Sequence, residues 1–236
     1  IMNEAYIVAG YRSPIGKAPR GNFRFTRPDD LAVQVVNHLT KSLPELDPQK
    51  VDDLIVGNAV PEAEQGMQMG RMISLHSDLP LDIPGVTVNR YCASGVEAIA
   101  IAVSKIRAGL ANCIIAGGAE SMSLVPTIGW KFTANYEIAK NHPEFYLSMG
   151  LTAEEVVKDY GISRKEQDLF AFNSHKKAIS AIEKGYFKDE IVPIEIEEIY
   201  VEGNKKKTRK IIVDTDEGPR ADTNLEALAK LKPVFS

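Results

Sequence analysis

The stretch from Pro84 to Gly109 constrains this chain more than any other. Pro84-Gly85 is a breaker pair, and the β-branched run Val86-Thr87-Val88 that follows reads as a short strand. Apolar residues then recur at Val96, Ile99, Ala100, Val103 and Ile106, a helical spacing, and Gly109 is a stop signal. Between strand and helix lies the small-residue turn Ala93-Ser94-Gly95, with Cys92 just before it. The first N–H groups of a helix have no intrahelical partner, and the helix dipole is positive there. A thiol in such a place is favoured as thiolate, the form that attacks carbonyl carbon. A small buried cysteine that serves only packing fits the same spacing, so spacing alone leaves both readings open.

The rest of the chain repeats the strand–helix alternation. Tyr6-Ile7-Val8-Ala9 reads as a first strand, followed by a basic loop to Arg27. Pro28-Asp29-Asp30 opens a helix with Leu31, Val35, Val36 and Leu39 on one face. Residues 53–60 form a strand that is apolar on both faces, hence parallel and buried. Gly66 to Leu75 reads as a helix, and residues 112–118 as the next strand. The pattern changes near Met122. Residues 124–143 read as loop, and Ser148 to Tyr160 as a helix stopped by Gly161. Ser163-Arg164-Lys165-Glu166 is a capping-box pattern that starts a longer helix. Ile194 to Val201 and Arg209 to Val213 pair as a hairpin around Gly203-Asn204 and a basic run, and Leu225 to Leu231 forms a short helix. The expected class is α/β, a parallel sheet covered on both faces, with a smaller α+β substructure inserted after Ser121.

Charge and cysteines exclude several functions. The 236 residues carry a net charge of −4, which gives no electrostatic case for nucleic-acid or membrane-surface binding. No apolar run is long enough to span a membrane. The two cysteines, Cys92 and Cys113, are separated by a helix, so a disulfide framework is not expected, and a reducing cytoplasmic setting fits. The histidines His38, His76, His142 and His175 lie singly, on helices or beside a proline, and read as surface or capping residues. Neither they nor the acidic residues form a metal-ligand pattern.

Two runs in fixed order now matter together. Asn89-Arg90-Tyr91-Cys92-Ala93-Ser94-Gly95 and Ala116-Gly117-Gly118-Ala119-Glu120-Ser121-Met122-Ser123 resemble the acyl-enzyme signature of the thiolases, acyl-CoA:acetyl-CoA C-acyltransferases. The resemblance extends from Glu4 to Phe235, and residues 60–66 and 84–89 look closer to the degradative 3-ketoacyl-CoA branch. It implies a thiolase-like fold: an incomplete first βαβαβαββ half at residues 1–120, an inserted CoA-binding loop domain at 121–236, and no C-terminal thiolase domain.

By the same resemblance, Cys92 is the nucleophile that takes the acyl group from a 3-ketoacyl-CoA, or runs the reverse Claisen condensation. Coenzyme A and acyl-CoA enter as substrates, with no permanently bound cofactor and no metal. Arg220 corresponds to a CoA-contacting arginine, Met149 to a residue lining the pantetheine, and Leu231 and Phe235 to apolar packing positions. Ser148 and Ala227 occupy positions that often hold His and Ser. A homodimer or homotetramer is implied. The family's Asn-Glu-Ala-Phe, Gly-His-Pro and Cys-x-Gly-Gly-Gly segments, which supply the base half of the site, are not found here. The chain alone is therefore expected to be inactive, and a separate C-terminal half is a candidate partner. A non-catalytic acyl-CoA-binding or oligomerisation fragment is the rival reading; a biosynthetic thiolase or a ketoacyl-synthase-like condensing enzyme is a weaker one.

Overall fold

The structure is a computed structural model and describes residues 3–235. The chain divides into two compact units. One takes the chain up to Trp130 together with Lys188–Gly218; the other takes Lys131–Phe187 and the chain from Pro219.

The first unit is built on strand β1, Asp53–Gly57, every residue of which is buried. Strand side chains alternate between faces. Leu54 and Val56 enter a core with Val33 and Val36 of helix α1 (Pro28–Ser42) and Met69 and Ile73 of helix α2 (Met69–His76). Ile55 points to the other face, against Ala98 and Ala102 of helix α3 (Ser94–Arg107). Strands β2 (Gly85–Val88) and β3 (Ile114–Gly118) flank β1 in the order β2-β1-β3, both parallel to it. The register pairs Gly57 with Val88 and with Gly118, so all three strands end level. The expected sheet covered on both faces is present. Lys105 at the far end of α3 donates to buried Asp53 at 2.5 Å, tying the helix to the start of β1.

The hairpin of β4 (Ile194–Glu202) and β5 (Lys205–Val213) also belongs to this unit, not to the second, where the 1–120/121–236 division had grouped it. The reason lies at its root. Val192, Ile194, Ile196 and Val213 bury against Phe23, with Leu31 and Val35 of α1 packed alongside. Arg12 reaches Asp216 through two hydrogen bonds of 2.7 and 3.0 Å and Glu190 through one of 2.7 Å. Gly203 and Asn204 both take positive φ, the geometry of a two-residue hairpin turn. The basic run is therefore strand, not turn: Lys207, Arg209 and Lys210 pair with Glu202, Glu198 and Glu195.

Three further expectations change. No strand forms at Tyr6–Ala9; Tyr6, Ile7 and Val8 are exposed. Among the described residues β3 has a strand partner on one edge only, and a cavity of about 1070 Å³ is lined by residues 5–12 and 112–117. Helix α2 starts at Met69 rather than Gly66, because Met67 and Gln68 sit at positive φ and cannot join it. A short helix α4, Tyr136–Asn141, interrupts the expected loop, capped by the Asn135 side chain.

The second unit holds α4, α5 (Met149–Tyr160), α6 (Arg164–Glu183) and α7 (Leu225–Ala229). Gly161 ends α5 at φ 63°, and Ser163 and Glu166 close the expected capping box on α6.

The start of α3 rests directly on the end of β1. A Cβ on Gly57 would lie 2.4 Å from the Ser94 carbonyl carbon, whereas one on Gly95 would meet nothing within 4 Å. Gly57→Ala should destabilise the chain by about 2 kcal/mol or more in urea unfolding, since backbone cannot yield as a side chain can. Gly95→Ala should be neutral or slightly stabilising. Equal costs would mean that α3 does not approach β1 so closely.

The Arg12–Asp216 latch yields a pH prediction. Burial works to raise the Asp216 pKa, but the Arg12 guanidinium and the Ile15 N–H outweigh it and hold the carboxyl below its ordinary value. A carboxyl depressed in the folded state contributes stability that is present above its unfolded pKa and is lost as pH falls through the folded one. The advantage of the native chain over Asp216→Asn should therefore be full at neutral pH and shrink below about pH 4. An advantage that does not depend on pH across that window would remove the charge from the latch.

Candidate functional site at the Cys92 elbow

Ligands of open parallel sheets bind beyond the carboxyl ends of the strands. Here those ends carry Asn58 and Ala59 after β1, Asn89 to Cys92 after β2, and Ala119 and Glu120 after β3. Side-chain hydrogen bonds tie them together. Asn58 Nδ2 donates to the Ala119 carbonyl at 2.9 Å, and Asn89 Nδ2 to the Ala59 carbonyl at 3.0 Å. The Ala59 N–H donates to Glu120 Oε2 at 2.7 Å. Buried Gln65 donates to Glu120 Oε1 at 2.7 Å and to the Val60 carbonyl, and accepts the Ser121 N–H.

Cys92 stands on this platform with its side chain exposed. The turn that carries it is strained: Tyr91, immediately before it, has φ +46°, a region that large side chains rarely occupy. Ser94, 3 % exposed, clamps the turn. Its Oγ accepts the Arg90 N–H at 2.8 Å and donates to the Tyr91 carbonyl at 2.5 Å. Arg90 forks onto Glu97 in the first turn of α3 at 2.8 and 2.9 Å. Nothing bulky follows the thiol, since Ala93, Ser94 and Gly95 come next. The arrangement presents an exposed sulfur just before the start of a helix, with only small side chains after it.

Cys113 offers the contrast. It is half-buried beside β3, and burial, followed by the nearby Asp52 carboxylate, raises its thiol pKa. It packs against the core, as expected.

The remaining candidates lie in the second unit. Met149 is the first residue of α5 and exposed, and Ser148 caps that helix, its Oγ accepting the Leu151 N–H at 3.3 Å. The Phe235 ring covers Gly150, where a Cβ would come within 2.3 Å of it. Arg164 holds the chain end by donating to the carbonyls of Leu228 and Leu231 at 2.7 and 2.9 Å, and the Leu231 side chain stays exposed. The Ala227 N–H is spent on Asn224, the cap of α7. Arg220 donates its backbone N–H to His175 Nδ1 at 3.1 Å and forks its guanidinium onto Asp222 at 3.0 and 3.1 Å. Met149 and Phe235 are thus gathered at the N-terminus of α5, while Arg220 is fixed at α6. Among the described residues no cluster of His, Cys, Asp and Glu could hold a metal ion, and no helix is long and apolar enough to cross a membrane.

Residues 5–236 match the family described as "Thiolase, N-terminal domain". The chain belongs to the thiolase family. It is 46% identical over 236 residues to a 3-ketoacyl-CoA thiolase of Bacillus subtilis, covering 100% of this chain and 60% of that protein. A β-ketoadipyl-CoA thiolase of Acinetobacter baylyi is 38% identical over 257 residues, covering 99% of this chain and 60% of that protein. Among solved structures, the Bacillus anthracis acetyl-CoA acetyltransferase superposes with a TM-score of 0.84 at 34% identity, covering 100% of this chain and 60% of that one. This thiolase chain therefore spans about 60% of the length of such relatives.

The hydrogen-bonded frame of the elbow escaped the sequence reading. Asn89, Ser94 and Glu120 fall within the two runs quoted above, but nothing local to them marks the hydrogen bonds they make. Asn58 and Gln65 carry no signal for the bonds that join the strand ends, because those partners lie 61 and 55–56 residues away.

Exposure and environment predict the order of thiol reactivity. Iodoacetamide at neutral pH should modify Cys92 well before Cys113, as read by peptide mass analysis. Preferential modification of Cys113 in the folded chain would remove the elbow from consideration as a nucleophile site.

Proposed function

We propose that this chain carries the nucleophile and the coenzyme A-binding region of a degradative 3-ketoacyl-CoA thiolase. The observation that carries the reading is the exposed Cys92 thiol, at the start of α3 and at the carboxyl ends of three parallel strands, in a chain matched end to end by thiolase relatives. Cys92 Sγ attacks the 3-keto carbon of the substrate. The bond between C2 and C3 breaks, and C2 takes a proton and leaves as acetyl-CoA. The acyl group stays on Cys92 as a thioester until the thiolate of free coenzyme A takes it away, restoring the cysteine. Run backwards, the same steps condense two thioesters. Fatty-acid β-oxidation is the setting this reading favours, and the two free cysteines fit a reducing compartment such as the cytoplasm.

Fast turnover in each half-reaction also needs a base and oxyanion donors, whereas a single slow acyl transfer to the thiol does not. In the family they come from later segments, and we assign the base half of the site to the part of the relatives' length that this chain does not span. A homodimer or homotetramer is part of the same reading, with β2 meeting a partner copy through its free edge. In the second unit, Arg220 would hold a phosphate of coenzyme A, and Met149, Leu231 and Phe235 its apolar portion, with Ser148 and Ala227 beside them.

The rival reading, a non-catalytic acyl-CoA-binding fragment, draws on the same second unit without using the elbow. Acetyl-CoA separates the two. It should transfer its acetyl group to Cys92, forming one thioester and releasing coenzyme A, and should protect that residue from iodoacetamide. Protection with no acetylated Cys92 peptide would favour the binding fragment. The nucleotide end is tested separately. Arg220→Ala should weaken coenzyme A binding by about tenfold, the effect of one charge-assisted hydrogen bond, and leave a pantetheine thioester unaffected. Equal losses for both ligands would take Arg220 away from the phosphate.

A further inference from the structure

The Tyr91 backbone needs a cause. Its φ of +46° is costly for any residue with a Cβ, and its ring is 72 % exposed, so packing of the side chain does not hold it there. The backbone itself is held. The Tyr91 N–H donates to Asn89 Oδ1 at 2.8 Å, two residues back, an Asx-type turn. The other end of the same carboxamide donates to the Ala59 carbonyl at 3.0 Å. Ala59 is anchored in turn, because its N–H reaches Glu120 Oε2 at 2.7 Å and Asn58 before it donates its backbone N–H to the Val88 carbonyl at 3.0 Å. One side chain thus connects the residue before the thiol to the ends of β1 and β3.

We infer that Asn89 is a positioning residue for Cys92: its carboxamide holds Tyr91 in the left-handed conformation and so aims the thiol from the mouth of α3. The inference rests on the reading of Cys92 as nucleophile. Both ends of the carboxamide are used, one accepting and one donating, and no other side chain of this size offers an acceptor and a donor on separate atoms. Aspartate accepts the Tyr91 N–H but cannot donate to Ala59, and it brings a negative charge beside the sulfur. Alanine leaves both Tyr91 N–H and Ala59 carbonyl without their partner. Ser94 holds the far side of the same turn, from the Arg90 N–H and the Tyr91 carbonyl, so loss of Asn89 frees the turn without unfolding α3.

The test is the iodoacetamide rate at Cys92 relative to Cys113, measured by peptide mass analysis on the full chain. Three proteins are compared: the native chain, Asn89→Ala, and Asn89→Ala combined with Tyr91→Gly. Glycine adopts positive φ at no steric cost, so it replaces the function of the carboxamide without replacing its hydrogen bonds. The Cys92 to Cys113 ratio should fall by roughly three- to tenfold in Asn89→Ala, the consequence of losing one backbone-holding hydrogen bond, and should recover most of the loss in the double variant. A merely structural Asn89 would not be rescued by Tyr91→Gly. A ratio in Asn89→Ala that stays within twofold of the native value or rises, or a double variant no better than the single one, overturns the inference. The parent reading fails differently: there the native chain itself shows no preference for Cys92. Thermal melting of each variant identifies any that has not folded, and Asn89→Ser, which keeps an acceptor for the Tyr91 N–H, then takes the place of the alanine with a smaller fall expected.

Discussion

The burial of β1 on both faces governs the first unit. Five consecutive buried residues leave no solvated side, so helices must cover the sheet above and below. Leu54 and Val56 recruit α1 and α2, and Ile55 recruits α3. The strand's last residue then decides how closely α3 can sit. With no Cβ at Gly57, the backbone of Ser94 comes into direct contact with the end of β1. The elbow that presents Cys92 is a consequence of that contact. A larger residue at 57 would push away the helix start, and with it the residues that precede it.

How much of this was legible depends on the range of the forces involved. Residues 53–60, 86–88 and 112–118 announce strands by composition, and Ser163 with Glu166 announces its helix by a cap four residues wide, because those signals are local. Tyr6–Ala9 carries the same local signal and still forms no strand. A strand exists only when its backbone groups find a partner, and β3's second edge is not taken up by that segment. Likewise Lys205 to Lys210 read as a charged tip, yet they lie in β5, where Glu202, Glu198 and Glu195 across the hairpin pair with Lys207, Arg209 and Lys210. Arg209 lies directly opposite Glu198 and the other two pairs are diagonal, a pairwise property that neither run shows alone.

The candidate site divides along the same line. Cys92 was visible, as the single thiol at a strand-to-helix turn. The groups that shape its surroundings were not: Asn58, Gln65 and Glu120 act across strands whose ends meet only when the sheet is formed. Their geometry has a common logic. The peptide groups just past the ends of parallel strands have left the sheet ladder, and each needs a new partner once buried. Side-chain amides and a carboxylate meet that need, and in doing so they make the carboxyl end of the sheet rigid enough to carry a strained turn.

The second unit applies a different economy to its candidate residues. Arg220 is already forked onto Asp222, which holds the guanidinium's protons more firmly and lowers the Asp222 carboxyl below its ordinary value. Both partners are exposed, and an exposed ion pair adds little to stability because water and salt compete for each charge. Exchanging Asp222 for a phosphate therefore opposes binding only weakly. A phosphate also brings more than one acceptor oxygen to the same planar fork, a geometry in which arginine exceeds lysine. The aspartate gives the guanidinium a defined direction before any ligand arrives, so less of the arginine's rotational freedom remains to be lost on binding. Under the coenzyme A reading proposed above, the Arg220–Asp222 pair would preorganise the fork, and its pairing in the free chain agrees with that role as well as with a solvated loop charge.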